Sequence, residues 1–183
     1  ATPIPRTLAL SLYGHLEISE LLELPAGRQP AVTTVVTEDQ RSIVDLRIRE
    51  ELAAGHQIFV ITPVIESIES GTLMFEEQKS VIKAFRRYRQ QFPAAKVGML
   101  HGRMKSSDQQ AAMDAFINQD LNILVSTTVI EVGVDIPQAS VMVIESADHF
   151  GLAQLHQLRG RVGRSGQPSW CFLMTNQPQA SSR

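Results

Sequence analysis

The sequence predicts an α/β fold in which a mostly parallel sheet is covered by helices on both faces. Short apolar segments recur along the chain, for example QIFVIT at 57–62 and NILVS at 122–126, and their polarity does not alternate. Amphipathic segments of helical length separate them. Continuous apolar strands are typical of a parallel sheet that is buried on both faces. The 183 residues are enough for one such domain.

Strands and helices are predicted to alternate along the chain. Gly55 is a stop signal for the first helix, and Ser107 with Gln110 forms a capping-box pattern at the start of the third. In the second helix we expect one apolar side, made of Phe75, Ile82, Phe85 and Phe92. The predicted strands are 31–36, 57–62, 96–100, 122–126, 141–145 and 169–175, and the predicted helices are 42–54, 75–92, 107–118 and 152–159.

Composition narrows the class of protein. The apolar runs are far shorter than a membrane span and no signal-peptide pattern is present, so we expect a soluble protein. The single cysteine, Cys171, lies in an apolar run and is expected to be a buried strand residue in a reducing compartment. The five histidines have no metal-ligand spacing, so no metal site is predicted. With a net charge of −2, any nucleic-acid binding must come from a local patch.

Polar residues follow several predicted strands directly, where open parallel sheets bind their ligands. Thr62 follows the second strand, and His101, Gly102 and Arg103 follow the third. Ser126, Thr127 and Thr128 close the fourth, and their hydroxyls suit either phosphate oxygens or a plain helix N-cap. Gly133 and Asp135 come next and suit either a ribose hydroxyl or a surface turn. A lone histidine such as His101 is more often structural than chemical.

The stretch 151–166 is the least ordinary part of the sequence, because Arg159, Arg161 and Arg164 alternate with three glycines. A helix that only packs would not contain these glycines, since each costs about 1 kcal/mol relative to alanine. Guanidinium groups beside a close backbone make good donors to phosphate or carboxylate oxygens. The stretch therefore favours an anion site over a solvated arginine-rich turn. The sequence contains no G-x-x-x-x-G-K-[ST] phosphate loop of its own.

Three segments together carry a resemblance to a known family. They are ATPIPRTLA at 1–9, TTVIEVGVDIP at 127–137 and GLAQLHQLRGRVGR at 151–164. The chain resembles superfamily 2 DNA helicases of the RecG type. The resemblance implies a motif III tail and linker at 1–30, a second RecA-like motor domain at 31–175 and a polar tail at 176–183. Transcription-repair coupling factor is the alternative, since it shares much of this text, including ADHF at 147–150.

In that family ATP lies between two RecA-like domains, and the first of these domains holds the phosphate loop and the Mg²⁺. The resemblance therefore implies that Arg161 and Arg164 meet the γ-phosphate, that Gln157 belongs to the same motif, and that the positions facing the nucleotide include Gly133 and Asp135. It also implies contacts with the nucleic-acid backbone from Thr62, His101, Gly102, Arg103 and Thr127.

The resemblance further implies an ATP-dependent DNA helicase when the protein is full length, with this part alone inactive. The implied partners are branched or duplex DNA and, in the same full-length chain, the first RecA-like domain and a wedge domain. No membrane partner is expected, and the implied location is the bacterial cytoplasm beside the nucleoid. A non-catalytic nucleic-acid-binding module, in which the arginines meet DNA phosphates, is a second alternative.

Overall fold

The computed structural model describes residues 31–64, 76–127, 139–163 and 166–176, and these carry one parallel sheet of six strands. Strands and helices alternate in the order β1 (Val32–Thr37), α1 (Arg41–Ala53), β2 (Gln57–Thr62), α2 (Glu76–Gln91), β3 (Val97–Leu100), α3 (Ser106–Ile117), β4 (Ile123–Thr127), β5 (Ala139–Ile144), α4 (Leu152–Arg159) and β6 (Trp170–Thr175). The strand order across the sheet is β1-β6-β5-β2-β4-β3. Every pair of neighbouring strands is parallel.

The sheet is buried on both faces, as the continuous apolar strands predict. All residues of β2, β4 and β5 are buried. One face packs against α1 and α2 through residues such as Val44, Ile48 and Val81. The opposite face packs against α3 and α4 through residues such as Phe116 and Leu158. The predicted fold class is therefore confirmed, and Cys171 is a fully buried strand residue.

Helices α1 and α3 end with the same hydrogen-bond pattern but with different residues in the critical position. Gly55 follows α1 with φ of 82°, and its N–H donates to the carbonyl of Leu52. Gln119 follows α3 with φ of 65°, and its N–H donates to the carbonyl of Phe116. The left-handed conformation favours glycine, so the stop signal at Gly55 is confirmed. The corresponding turn at Gln119 carries no such signal in the sequence.

The predicted capping box at the start of α3 is wrong. Ser107 donates its hydroxyl to the neighbouring Asp108 carboxylate at 3.5 Å, and no side chain caps the helix. Gln109 reaches back instead, and its amide donates to the carbonyls of His101 and Met104. The helix begins at Ser106, so Ser107 lies inside the first turn and cannot act as the cap.

The predicted apolar side of α2 is only partly right. The buried residues on this helix are Val81, Ala84 and Tyr88, with Phe92 just beyond it. Phe85 is half-buried and lies under the guanidinium of Arg89, while Phe75 lies outside the described residues. The helix is turned so that the Tyr88 hydroxyl reaches a carboxylate at the edge of the sheet. No described helix is long and apolar enough to cross a membrane.

Candidate functional site

Three of the predicted site residues lie side by side at the carboxyl edge of the sheet. Thr62 ends β2 and pairs with Thr127, which ends β4. On the other side of β4, Leu100 pairs with Ser126, so His101 follows β3 next to Thr127. Since β2, β4 and β3 are neighbours in the sheet, the end of each strand brings its polar residue to one continuous edge.

The side chains of Thr62 and Thr127 are buried at this edge, with 2% and 0% of each residue exposed. The Thr62 hydroxyl donates to the carbonyl of Ser126 at 3.4 Å, and the Ser126 hydroxyl donates to the carbonyl of Thr127 at 2.8 Å. The Thr62 hydroxyl links the ends of β2 and β4, and the Ser126 bond lies within β4. They fix the shape of the edge against which a ligand would lie.

His101 holds an exposed loop in place. Its residue is 4% exposed, and its Nδ1 accepts a hydrogen bond from the backbone N–H of Arg103 at 3.3 Å. Its carbonyl accepts from Gln109 at 3.2 Å and from the N–H of Met104 at 3.1 Å. Gly102 and Arg103 are exposed. His101 is therefore structural in the described chain, and Gly102 and Arg103 are the residues that this loop presents to solvent.

Helix α4 carries the arginine and glycine stretch, and buried apolar side chains anchor it. Leu158 and Val162 are 8% and 2% exposed and pack in the core on the α3 and α4 face. At the start of the helix, the Gln154 amide oxygen accepts from the N–H of Gly151 at 3.1 Å. Gly151 has no side chain to return a second bond, so the cap is one-sided. The eight-residue helix therefore depends on packing for its position.

The turn after α4 presents Arg161 between fixed neighbours. Gly160 donates its N–H to the carbonyl of His156 at 3.1 Å, and Arg161 donates its N–H to the carbonyl of Leu158 at 2.9 Å. Gly163 has φ of 75° and Gly166 has φ of 74°, conformations that favour glycine. The backbone conformation therefore accounts for glycine at these two positions. Gln157 and Arg161 are both half-buried.

Three of the predicted site residues cannot be placed. Arg164, Gly133 and Asp135 lie outside the described residues. Arg159, for which the family motif implies no phosphate role, lies on the surface of α4 with its guanidinium 3.4 Å from Nδ1 of His156.

A cleft of about 730 Å³ opens at the carboxyl ends of β1, β2, β5 and β6, on the face covered by α1 and α2. Its wall contains cations and hydroxyls together with two carboxylates. The charged residues among them are Glu38, Arg41, Lys83, Arg87 and Glu145, and the hydroxyl residues are Thr62, Ser80, Ser146 and Thr175. Thr62 connects this cleft to the edge that carries Thr127 and His101.

An ion pair between buried Arg41 and half-buried Glu145 lines the cleft. The two terminal nitrogens of Arg41 donate to the two carboxylate oxygens of Glu145 at 2.8 and 2.6 Å. The Tyr88 hydroxyl donates to the same carboxylate at 3.0 Å. The Nε of Arg41 donates to Glu38, which also accepts from Arg87 at 2.9 Å. We call the group Arg41, Glu145 and Tyr88 the edge network.

Burial and charge shift the pKa values of this group in opposite directions. Burial, followed by the neighbouring Glu145 charge, raises the pKa of Tyr88 well above its ordinary value, so the hydroxyl remains a donor. For Glu38, burial would raise the pKa, but hydrogen bonds from Arg41 and Arg87 outweigh it and lower the pKa. The net pKa of Arg41 is raised: burial opposes its charge, and the hydrogen bond to Glu145 more than compensates. Arg41 and Glu38 therefore stay charged across the physiological range, while the Tyr88 hydroxyl stays protonated.

Sequence reasoning missed the edge network, although part of the signal was present. Glu145 directly follows the apolar run 141–144, at the position where the other candidate residues were sought. A carboxylate that ends a fully buried strand needs a partner, and Arg41 begins a helix close to the first strand end. The sequence could not identify Arg41 as the partner of Glu145, because it does not reveal the strand order that brings the two residues together.

Comparisons with known proteins place the chain in a family. The model of the helicase conserved C-terminal domain matches residues 40–166. The ATP-dependent DNA helicase RecG of Synechocystis is 50% identical over 185 residues, which cover 100% of this chain and 22% of that protein. A structure of RecG bound to a three-way DNA junction is 41% identical, with a TM-score of 0.74, and the match covers 97% of this chain and 22% of the other.

A more distant match shows the fold alone. A structure of S. cerevisiae Dbp5 bound to RNA and ADP BeF3 is 15% identical with a TM-score of 0.58, covering 97% of this chain and 44% of that one. The expected RecA-like fold and the resemblance to RecG-type helicases are thus confirmed. The chain belongs to the helicase conserved C-terminal domain family.

Proposed function

We propose that this domain is the second motor domain of an ATP-dependent DNA helicase or translocase that acts on branched DNA. The chain spans 22% of the length of the RecG relative from Synechocystis, so the activity belongs to a longer protein. The RecG structure that contains a three-way DNA junction supports branched DNA as the substrate. The relative from Synechocystis supports a bacterial protein, for which we propose the cytoplasm and the nucleoid as the place of action.

The observation that carries the proposal is the fixed turn at Arg161. Buried Leu158 and Val162 hold the turn on both sides, and Arg161 between them is half-buried. A cation on a turn fixed in this way can be positioned against the charge on a phosphoryl group. The sequence has no phosphate loop, so such a nucleotide would be held by another domain. The site on this chain therefore fits half of a nucleotide site.

In this proposal ATP, with Mg²⁺ held by the first motor domain, supplies the phosphoanhydride bond that is hydrolysed. Arg161 and Arg164 stabilise the charge that develops on the transferred phosphoryl oxygens, an effect of about 10³ to 10⁵ in rate for arginine fingers. Gln157 lies one turn before Arg161 and helps to orient the same motif. Gly133 and Asp135 face the nucleotide. Because the arginines act only when two domains close, turnover and domain motion are coupled.

The carboxyl edge of β2, β4 and β3 supplies the DNA contacts in this proposal. Gly102 and Arg103 are exposed there and offer a backbone N–H and a cation to phosphate oxygens. Thr62, Thr127 and His101 are buried and shape the edge that receives the strand. Contacts of this kind do not read sequence, which suits a motor that moves along DNA. The first RecA-like domain and a wedge domain of the same full-length chain are the proposed intramolecular partners.

Substitution of the arginines in the full-length protein tests the nucleotide half of the proposal. Arg161→Ala and Arg164→Ala should each lower DNA-stimulated ATP turnover by about 10³-fold or more, with ATP binding retained. Arg159→Ala is the matched control, because it removes a surface guanidinium from the same helix. Unchanged turnover in both test variants would refute the finger role.

A salt titration distinguishes the non-catalytic alternative, in which the arginines bind DNA phosphates. An arginine on a DNA phosphate contributes about 0.9 to the slope of log affinity against log salt. We therefore expect Arg161→Ala to leave the salt slope for duplex DNA unchanged and Arg103→Ala to reduce it by about 1. A reduced slope for Arg161→Ala would favour the binding module.

A further inference from the structure

The strand β5 leads into α4 through a short connector that crosses the carboxyl edge of the sheet. This connector, residues 145–151, starts at Glu145 on the α1 and α2 side, where the edge network lies. It continues through a turn at Ala147–His149, and the buried Ala147 and Phe150 pack in the core on the opposite face. The connector is therefore held on both faces of the sheet before α4 begins.

The hydrogen bonds to Glu145, at the start of the connector, fix its direction. Arg41 meets both oxygens of Glu145, and Tyr88 donates to one of them. A two-pronged pair of this kind fixes an angle as well as a distance. Glu145 also donates its backbone N–H to the carbonyl of Ile61 at 2.8 Å, so main chain and side chain are fixed together. The network thereby joins the start of α1, the last turn of α2 and the end of β5.

Two features indicate that the contacts of Arg41 and Tyr88 with Glu145 position the connector and do not mainly stabilise the fold. A buried ion pair is a poor source of stability, since apolar side chains of similar volume often replace such pairs without loss. Directly after Glu145, Ser146 has φ of 48° and ψ of 54°, a left-handed conformation that non-glycine residues rarely adopt. A strained turn persists only where its surroundings impose it. Here the surroundings are Glu145 on one side and the buried Ala147 on the other.

Helix α4 packs through Leu158 and begins directly after this connector, so the connector sets where the helix starts. It has eight residues and a one-sided cap, and it is followed at once by the turn that presents Arg161. A displacement at Glu145 would therefore be passed along α4 to the guanidinium. Because a misplacement of about 1 Å in a catalytic group can cost about 10²-fold in rate, a small movement is sufficient.

We propose that Glu145, held by Arg41 and Tyr88, is a positioning residue that sets the placement of Arg161 for ATP hydrolysis. This inference rests on the proposed function, because it needs Arg161 to act on the nucleotide. Arg41, Glu145 and Ser146 all line the cleft.

The test uses the full-length protein with Glu145→Gln, which keeps the shape of the side chain and removes its charge. DNA-stimulated kcat should fall by about 10²-fold with the Kd for ATP unchanged, because the nucleotide is held elsewhere. Tyr88→Phe removes one hydroxyl and should lower kcat several-fold. Glu51→Gln is the matched control, since Glu51 is a buried carboxylate paired with His56 at 2.7 Å on the same sheet face but at the other end of α1. It should keep full turnover.

A double substitution separates positioning from a general structural role. Combined with Arg161→Ala, Glu145→Gln should cause no further loss of the residual turnover, measured with enzyme in excess over ATP. A further loss in the double variant as large as the loss caused by Glu145→Gln in the wild type would overturn the proposal. Full turnover of the Glu145→Gln single variant would also overturn it. If Glu145→Gln does not fold, as judged by its thermal unfolding, Tyr88→Phe decides by the same two criteria. Full turnover of both Arg161→Ala and Arg164→Ala would overturn the proposed function itself, a separate result.

Discussion

Buried polar groups lie at both the carboxyl edge and the amino edge of the sheet, but their hydrogen-bond partners differ between the two edges. At the carboxyl edge, the edge network joins three elements that are far apart in sequence. At the amino edge, the contact is local, with Nδ1 of His56 2.7 Å from the carboxylate of Glu51 five residues earlier. The amino edge also contains buried atoms that have no hydrogen-bond partner among the described residues, namely Gln57 Oε1, Ser140 Oγ and Ser169 Oγ.

The difference shows which strand ends are held in a fixed position. Long-range directional bonds at the carboxyl edge constrain the strand ends from which the candidate site residues emerge. The amino edge needs only to close the helix-to-strand turns. It tolerates the Ser140 hydroxyl, which has no partner among the described residues, at the irregularity where Gln57 pairs with Ala139 and Ile58 with Val141. Substitutions that remove one partner at each edge measure this contrast.

The largest effect is expected for Arg41→Met. Among the described side chains, this change leaves Tyr88 as the donor to the largely buried Glu145 carboxylate, and it should lower the free energy of unfolding by about 3 to 5 kcal/mol. The amino-edge counterpart, His56→Leu, should cost about 1 to 2 kcal/mol, since it removes a single local bond to a charged group. Urea unfolding of the chain gives both values. Equal losses of unfolding free energy in Arg41→Met and His56→Leu would contradict the proposed difference between the two edges.

An intermediate effect is expected from acid. The pKa of Glu38 is lowered in the folded chain because the hydrogen bonds from Arg41 and Arg87 outweigh its burial. A lowered folded pKa stabilises the fold above the ordinary value of 4.5, and that contribution is lost as pH falls through the folded pKa.

Urea midpoints of the wild type and of Glu38→Gln between neutral pH and acid should therefore converge as pH falls below 4.5. The Glu51→Gln variant, which leaves Glu38 intact, provides the comparison. A constant difference between wild type and Glu38→Gln over this range would show that Glu38 titrates alike in the folded and unfolded chains.

The smallest effect is expected for Ser140→Ala and Ser169→Ala. Each removes a buried hydroxyl that has no partner among the described residues, so no hydrogen bond is lost. We expect a change within about 1 kcal/mol, in the stabilising direction. Thermal unfolding measures it. A clear loss of stability would mean that these hydroxyls are satisfied, for instance by a buried water, and that the amino edge resembles the carboxyl edge.

The fold was predictable because its signals are local and repeated. The apolar run of β2 and the helix α4 were predicted with the bounds that the structure shows, and Gly55 marked the end of α1. The end of α3 carried no such signal, because Gln119 adopts the left-handed conformation without being glycine. Tertiary packing imposes that turn, and packing is not visible in a local window.

The site was predictable only in part. The rule that ligands bind at strand ends found Thr62, Thr127 and His101, and the sheet does bring them together. It could not show that their side chains are buried, which depends on neighbouring elements. The side of α2 that carries Tyr88 was misjudged for a related reason, since the helix turns toward a polar partner as well as toward the core.

The most direct measurement of the central claim is ATP turnover by the purified 183-residue chain, with and without branched DNA. The claim is that this chain supplies arginines to a nucleotide that another domain holds. We expect no ATP turnover above background under either condition, while the same DNA stimulates turnover by the full-length protein. Appreciable hydrolysis by the chain alone would contradict it.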